Sequence, residues 1–239
     1  MHSKLTSAVT ATAPNDFLLM SKTAVAALAA LIGMAACGGN SPASAPQGPT
    51  AASVAVQPAD LSSGFVKCDP SGDINKYISG EESSDPTTAK NTRNDWEEAQ
   101  KNGATAAWVA LYADSTAQCA VLKKTSTDNI TATTHPLLVN FVIQFKDEKS
   151  ASSGYKSPKK IFGFSATDLR SNTTGSQSVG EGTKTGLGAN SIVLNTSVSN
   201  QSFYIAVWQN KAFMVFLAIL NMDPAASKKV AASENSRIK

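Results

Sequence analysis

Residues 191–220 read SIVLNTSVSNQSFYIAVWQNKAFMVFLAIL, and this stretch decides the fold class of the 239-residue chain. It contains three runs rich in β-branched and aromatic residues, separated by short polar breaks at 199–201 and 210–211. Because Asn210 tolerates a positive φ, the second break predicts a two-residue hairpin turn. The last run is apolar without interruption, which is typical of a strand buried on both faces. We therefore expect residues 212–220 to lie centrally in a sheet.

Two further strands are expected upstream, and each is followed by a helix. The apolar run 105–113 precedes a helical segment at 115–124. The β-rich run from Leu137 to Phe145 precedes a polar helix that begins at Asp147-Glu148. After the last strand, Asp223-Pro224 supplies the cap and the first residue of a C-terminal helix. These elements predict an α+β fold, with a mainly antiparallel sheet of about five or six strands and helices packed on it.

Shorter segments complete this prediction. Ser71 is expected to cap a short helix from Asp73 to Ser79, and a second short helix starts at Thr92 or Asn94 and ends at Asn102. Ile161 to Phe164 predicts a short strand. Residues 165–190 are polar and rich in glycine, so we expect them to form the longest loop of the domain.

Composition and charge exclude several classes of protein. Lys and Arg total 21 against 18 Asp and Glu, and a net charge of +3 is too small for a charge-driven nucleic-acid binder. Three cysteines are too few for a disulfide-dense scaffold, and two histidines leave little room for a metal centre. We expect no nucleic-acid partner, no metal and no cofactor.

The N-terminal region carries a targeting signal. Lys22 precedes an uncharged, Ala- and Leu-rich stretch at 24–36 that fits a signal-peptide core and falls short of the ~20 residues that span a bilayer. Met34-Ala35-Ala36 then leads to Cys37, which two glycines follow. This arrangement resembles the lipobox of bacterial lipoproteins, with Met34 at the position where leucine is usual.

The lipobox resemblance implies that Cys37 is lipidated and becomes the first residue of the mature protein. The membrane partner is then reached through this lipid anchor, on the extracytoplasmic face of the cell membrane, without a transmembrane helix. The alternatives are an ordinary secretory signal peptide that is cleaved elsewhere, and a buried Ala-rich helix, for which the next segment offers nothing to pack against. Residues 1–19 show no pattern of their own, and we hypothesise that translation starts at Met20.

The expected organisation has three parts. Residues 1–36 form the signal peptide. Residues 37–58 comprise the lipidated cysteine and a flexible linker, because their Gly, Ser, Ala, Pro and Gln composition carries no charge and little bulk to bury. Residues 59–239 form a single α+β domain.

Cys68 and Cys119 are the cysteines that remain once Cys37 is lipidated. In an exported bacterial protein such a pair is most simply a disulfide, and two separate buried thiols are the alternative. The C-x-x-C spacing of redox-active thiols is missing, so these cysteines are not expected to be catalytic.

The sequence singles out no catalytic constellation. His135 is the single histidine of the mature chain, too few for a Cys/His zinc site, and no G-x-S-x-G marks a nucleophilic serine. Asp69 and Asp73 lack the ligand count of a calcium loop and fit a turn before a helix. The Gly180–Gly188 stretch GEGTKTGLG lacks phosphate-loop spacing, and a flexible loop is expected there.

The domain as a whole resembles small extracytoplasmic lipoprotein domains, of the Mog1/PsbP-like or mycobacterial-lipoprotein kind, in its size and its α+β layout on a lipid tether. This resemblance implies a non-catalytic binding or interaction module, whose partner is a small hydrophobic ligand or an envelope protein. One alternative is an exported serine hydrolase that uses a serine with either a lysine or His135. The other is a structural protein of the cell envelope, which would expose a broad apolar patch.

Overall fold

The computed structural model describes residues 48–122, 134–171, 178–198 and 201–239. The helices are α1 (Ala51–Val54), α2 (Ile74–Glu82), α3 (Pro86–Lys101), α4 (Thr116–Leu122), α5 (Glu148–Lys156), α6 (Ala166–Ser171) and α7 (Pro224–Ser236). The strands are β1 (Val66–Lys67), β2 (Gly72–Asp73), β3 (Ala104–Ala113), β4 (Leu137–Phe145), β5 (Ser178–Glu181), β6 (Asn190–Val198), β7 (Gln201–Asn210) and β8 (Phe213–Leu220). Short 3-10 turns lie at Pro58–Asp60 and Gly182–Thr185.

The eight strands form one antiparallel sheet in the order β1–β3–β4–β8–β7–β6–β5, and β2 also pairs with β3. This arrangement confirms the predicted α+β class. It also confirms the central position of β8, where Phe216 pairs with Phe141 of β4 and with Val207 of β7. All eight residues of β8 are buried because strands flank it on both edges and helices cover both of its faces.

The β7–β8 hairpin forms as predicted, but its turn lies one residue later than expected. Asn210 pairs with Phe213, so the two turn residues are Lys211 and Ala212. Lys211 takes the positive φ, at 47°. The hairpin register therefore places Asn210 in the strand, where its side-chain amide donates to Asn235 of α7 at 2.9 Å.

The sheet has more strands than the five or six that were predicted. β1 and β2 contain two residues each and β5 contains four, so none of them shows enough alternation to be recognised in a sequence. The predicted strand Ile161–Phe164 was wrong, since this segment forms a tight turn closed by an isolated bridge between its two end residues.

Helices and their preceding loops pack on both faces of the sheet. One apolar core lies between the sheet and α2, α3 and α5, and it contains Tyr77, Trp96 and Tyr155. The second core lies on the opposite face, beneath α1 and α7, and contains Trp208 and Val230. Among the helices that the structure describes, none is both long and apolar enough to cross a membrane.

Aspartate caps determine where several helices begin. Asp223 accepts from the backbone N–H groups of Ala225 and Ala226, so the predicted cap of the C-terminal helix is confirmed. Asp73 caps α2, in place of the expected Ser71. α3 begins at Pro86, earlier than the predicted start near Thr92, because Asp85 accepts from the Thr88 N–H and proline fits the first helical position.

The predicted linker was wrong for its last residues, which belong to the folded domain. Thr50 caps α1, and the side chains of Ala51, Val54 and Val56 are at most 3% exposed. The Val56 N–H donates to the Asn140 side chain at 3.0 Å. Small uncharged residues are common in linkers, but they also fit a segment packed closely against a sheet, and composition alone does not separate the two.

The predicted loop at 165–190 was also wrong for most of its described residues. It contains α6, β5 and the Gly182–Thr185 turn. Thr185 and Ser191 share a hydrogen bond of 2.6 Å between their hydroxyl groups, and the Ser191 hydroxyl also lies 3.0 Å from the Gly182 oxygen and 2.7 Å from the Gly188 oxygen. These bonds order a stretch whose Gly and Thr content indicates a flexible loop when it is read in isolation.

Candidate functional site

A groove runs along one face of α3. Its helix wall consists of polar side chains that recur at intervals of three and four residues, and therefore lie in one row: Thr88, Asn91, Thr92, Asp95, Glu98 and Asn102. At a rise of 1.5 Å per residue, this row is about 20 Å long. We call the concavity between this row and the segment Ser153–Phe164 the α3 groove.

The opposite wall ends in the tight turn Ile161–Phe164. The Ile161 N–H donates to the Phe164 oxygen at 2.9 Å, and the Phe164 N–H donates back at 3.1 Å. Phe162 and Gly163 both have positive φ, at 53° and 81°, as a two-residue hairpin turn of this hand requires. Glycine adopts this conformation readily, whereas a bulky residue such as phenylalanine rarely does.

Burial of aromatic rings holds the strained Phe162 in place. Its ring stacks on Phe141 of the central sheet with the centroids 4.9 Å apart, and the residue is 3% exposed. Phe164, at the other end of the turn, stacks on Phe216 and lines the groove while half-buried. The turn therefore gives the α3 groove a rigid apolar wall that faces the polar row of the helix.

Polar contacts connect the two walls. The Gly163 N–H donates to the Asp95 carboxylate at 3.3 Å. Towards the other end of the groove, the Lys159 ammonium lies 2.8 Å from Glu98, and this hydrogen bond holds the pKa of Glu98 below its usual value. Lys160 lies 3.5 Å from Asp168 of α6. The charged groups of the groove are thus matched by partners of opposite sign or by backbone dipoles.

The α3 groove holds two neighbouring cavities. The larger has a volume of about 460 Å³ and lies between Thr88 and Phe164, and the smaller has about 140 Å³ and lies beside Asn102. Lys160 lines both. The larger volume falls within the range of small-molecule sites. Concavities of about 570 Å³ beside Trp108 and about 460 Å³ beside Gln201 are more open to solvent.

Sequence reasoning missed the α3 groove. Its polar row has the spacing of any solvent-facing helix stripe, so the pattern gives no sign that a second wall covers it. The Phe162-Gly163 pair does carry a turn signal in its glycine, but the flanking apolar residues favour a strand. Only the tertiary contacts of Phe162 and Phe164 bring the second wall to the helix.

The predicted disulfide between Cys68 and Cys119 is present, with 5.3 Å between the Cα atoms. Both residues are buried, at 2% and 6% exposure. The bridge joins the segment between β1 and β2, which both pair with β3, to α4, which follows β3 in the chain. It therefore serves the structure of the sheet edge and lies outside the α3 groove.

His135 lies at one end of the sheet, where β4 begins. Its Nδ1 atom is 2.8 Å from the Asp114 carboxylate, which follows the neighbouring antiparallel strand β3. The Ser115 hydroxyl donates to the same carboxylate at 3.2 Å. About half of the imidazole surface is exposed, at 48%. The structure therefore places His135 in a surface hydrogen bond with Asp114, outside the α3 groove.

Asp73, which the sequence analysis considered as a calcium ligand, is the cap of α2 and accepts from the Asn75 N–H. In the parts of the chain that the structure describes, no group of three or more His, Cys, Asp or Glu side chains could hold a metal ion. Cys37 and the rest of the lipobox lie outside the described residues.

A buried polar network on the opposite face was also missed by the sequence analysis. The Asn140 amide donates to Glu234 of α7 at 2.8 Å, and burial raises the pKa of Glu234 well above its usual value. Arg237 pairs with Asp60 at 2.8 Å and donates to the backbone oxygens of Val54 and Ala55. Burial alone would raise the pKa of Asp60, but hydrogen bonds from Arg237 and other donors outweigh it and lower that pKa. This network fixes residues 54–60 to α7.

Comparison with known proteins gives little further guidance. No protein family matches the chain, and no curated protein matches it. Among solved structures, the extracellular domain of PknH from Mycobacterium tuberculosis is similar over 57% of this chain and 66% of that chain, just under two thirds of its length. The sequences are 10% identical in this match, and the TM-score is 0.36.

Proposed function

We propose that the protein is a bacterial lipoprotein, held on the extracytoplasmic face of the membrane by lipids on Cys37, and that its domain is a non-catalytic binding module. The α3 groove is the observation that carries the binding role. It is a two-walled concavity of sufficient volume, whose side chains offer hydrogen bonds along a rigid aromatic wall.

The electrostatics of the groove favour binding over catalysis. A general acid at neutral pH needs a carboxyl group with a raised pKa. Glu98 has a lowered pKa because Lys159 donates to it, so it stays ionised. The Asp95 carboxylate accepts from the Gly163 N–H at 3.3 Å. These carboxylates are suited to accept hydrogen bonds from a ligand.

The position of the N-terminal segment fits a short tether. The Ala51 N–H donates to Gln144 near the end of β4, so the chain enters the domain at that end of the sheet. The twelve residues from Gly38 to Pro49 span at most about 40 Å when fully extended. The Asn102 end of the groove lies at the same end of the sheet, because β3 begins two residues later and Ala104 pairs with Phe145. In this proposal the groove extends away from the anchored end.

The anchor is tested by growing bacteria that express the full chain with radiolabelled palmitate. We expect label in the wild-type protein and in a Ser44→Ala control, which changes a small residue a few positions away, and no label in Cys37→Ala. Absence of label from the wild type, or equal labelling of Cys37→Ala, would overturn the proposed anchor.

A second candidate function is an exported serine hydrolase, which the His135–Asp114 pair favours because a carboxylate on Nδ1 orients a catalytic imidazole. A fluorophosphonate probe that labels activated serines distinguishes the two functions. The binding module predicts no labelling above that of heat-denatured protein. Labelling that is lost in His135→Ala would replace the binding module with the hydrolase.

A further inference from the structure

We infer that the ligand of the α3 groove is an uncharged, hydroxyl-rich chain, an oligosaccharide, that lies along the helix. This inference rests on the proposed binding function and specifies the class of ligand. It follows from the hydrogen-bonding groups of one wall, the charge of the site and the apolar character of the other wall.

The helix wall presents groups that both donate and accept. Asn91 carries an amide, Thr92 carries a hydroxyl group, and Asp95 carries a carboxylate that only accepts. The Thr88 hydroxyl donates to Asp85 at 2.7 Å, so towards a ligand it acts as an acceptor. A sugar hydroxyl is itself a donor and an acceptor. Two neighbouring hydroxyls of one ring can therefore form two hydrogen bonds with a single amide or carboxylate group. Asn91 is exposed and lies three residues after Thr88 and one residue before Thr92, so the row offers an amide beside hydroxyl groups to successive sugar hydroxyls.

The larger cavity carries little net charge. Its lining contains one carboxylate, Asp95, and one ammonium group, Lys160, which also lies 3.5 Å from Asp168. A strongly charged ligand therefore gains no net attraction from the site. A small hydrophobic ligand, the class that the sequence suggested, would remove water from the polar row without replacing its hydrogen bonds, which is costly. An uncharged polar ligand avoids both penalties.

The second wall suits the apolar side of a sugar ring. A pyranose has hydroxyl groups around its edge and C–H bonds on its faces. Phe164 is held by its stacking on Phe216 and lines the cavity opposite the polar row. A ring placed between the two walls can therefore contact an aromatic side chain with its C–H surface and the helix with its hydroxyls.

The groove also has the length for a chain. The polar row continues past Asp95 to Glu98 and Asn102, over about 20 Å in all. The Lys159–Glu98 ion pair lies in this second part, where the two side chains are 69% and 40% exposed. An ion pair with that exposure stabilises the fold little, so a ligand can displace it at small cost. Several sugar residues can thus occupy the groove together.

Titration calorimetry tests this inference on the purified, lipidated protein in a detergent without a sugar headgroup. The probes are neutral tetrasaccharides of glucose, mannose, galactose and N-acetylglucosamine, with a neutral octapeptide and a tetragalacturonate for comparison. We expect saturable binding of at least one neutral tetrasaccharide, and weaker binding or none of the peptide and the acidic sugar.

The matched variants are Asn91→Ala and Asn94→Ala, which make the same change at two exposed positions of α3. Asn91 lines the groove, and Asn94 lies outside it. Asn91→Ala should weaken binding about tenfold, as the loss of one or two hydrogen bonds implies, and Asn94→Ala should leave it unchanged. Both variants should melt within a few degrees of the wild type.

The inference is overturned if none of the four neutral sugars binds, if the peptide or the acidic sugar binds more tightly, or if both variants change the affinity equally. Palmitate labelling of Cys37 is independent of these titrations. If the protein is labelled with palmitate but binds no sugar, the proposed oligosaccharide ligand is refuted and the proposed lipid anchor is not.

Discussion

Asn140 on the central strand β4 donates a hydrogen bond of 2.8 Å to Glu234 on α7, and both side chains are completely buried. The same Asn140 accepts from the Val56 N–H at 3.0 Å and donates to the Phe216 oxygen at 3.1 Å. One amide thus joins the N-terminal segment, the sheet and the C-terminal helix. Buried polar groups in this position stabilise a fold only when their partners are all in place.

The buried Glu234 predicts a stability that falls as pH rises. Burial raises its folded-state pKa well above its ordinary value of 4.5, so the folded protein holds a proton that the unfolded chain releases. Its contribution is complete below pH 4.5 and is lost as pH rises through the folded-state pKa. Glu234→Gln keeps an acceptor for Asn140 and removes the ionisation. We expect urea unfolding between pH 5 and 8 to show a smaller loss of stability in the variant than in the wild type.

The control for this experiment is Glu97→Gln, an exposed carboxyl on α3. Its unfolding free energy should follow the wild type at every pH. If the unfolding free energies of Glu234→Gln and the wild type change in parallel with pH, the pKa of Glu234 is the same in the folded and unfolded states, which contradicts the prediction.

The Arg237–Asp60 pair predicts that the N-terminal segment stabilises the domain. The Asp60 side chain is 6% exposed, and Arg237 also donates to the oxygens of Val54 and Ala55. Arg237→Ala leaves a buried carboxylate without its counter-ion, and we expect a loss of about 3 kcal/mol in the free energy of unfolding. Arg93→Ala, which breaks an exposed pair with Glu82, should cost about 0.5 kcal/mol or less. Equal effects of the two changes would indicate that residues 50–58 do not stabilise the domain and belong to the predicted linker.

The Cys68–Cys119 disulfide predicts a protein that is sensitive to reduction. The cysteines are separated by 51 positions, and closing such a loop contributes about 4 kcal/mol in the chain-entropy model. The double variant Cys68→Ala/Cys119→Ala should unfold at a lower urea concentration than the wild type, and added reductant should shift the wild type alone. A wild-type midpoint that does not respond to reductant would contradict this pairing.

The positive φ of Gly163 predicts that alanine has opposite effects at Gly163 and at Gly80. Gly163 has φ of 81°, so an alanine there is strained by about 1–2 kcal/mol and should destabilise the protein. Gly80 lies inside α2, where a Cβ meets nothing closer than Pro70 at 4.0 Å, and Gly80→Ala should stabilise by up to about 1 kcal/mol. Thermal melts compare them directly, and a stabilising Gly163→Ala would refute the turn.

Local signals in the sequence predicted the parts of the fold that depend on near neighbours. The apolar run of β8 and the Asp223 cap are such signals, and both were confirmed. Val56 and Thr185 lie in segments with the composition of a loop, and hydrogen bonds that composition does not reveal order both of them. Val56 donates to Asn140, which is distant in sequence, whereas Thr185 bonds to Ser191, which is near it. The disulfide pairing could be predicted because only two cysteines remained to pair.

The candidate site was less accessible to prediction than the fold. Asn91 and Asp95 look like any exposed residues of an amphipathic helix. Their role depends on Phe164, which is far away in sequence and reaches the helix only because Phe162 and Gly163 form a left-handed turn. No local sequence pattern encodes the position of Phe164 beside the helix, since that position depends on the stacking of Phe164 on Phe216 of the sheet.

The central claim is that the domain binds its ligand in the α3 groove, and the most direct test is a map of amide chemical shifts. Isotope-labelled, lipidated protein in a detergent without a sugar headgroup is titrated with the four neutral tetrasaccharides. The account predicts that shifts concentrate at Thr88, Asn91, Asp95 and Gly163 and at the Asn91 side-chain amide. Shifts that concentrate beside Trp108 or His135, or spectra that do not change at any sugar concentration, would contradict it.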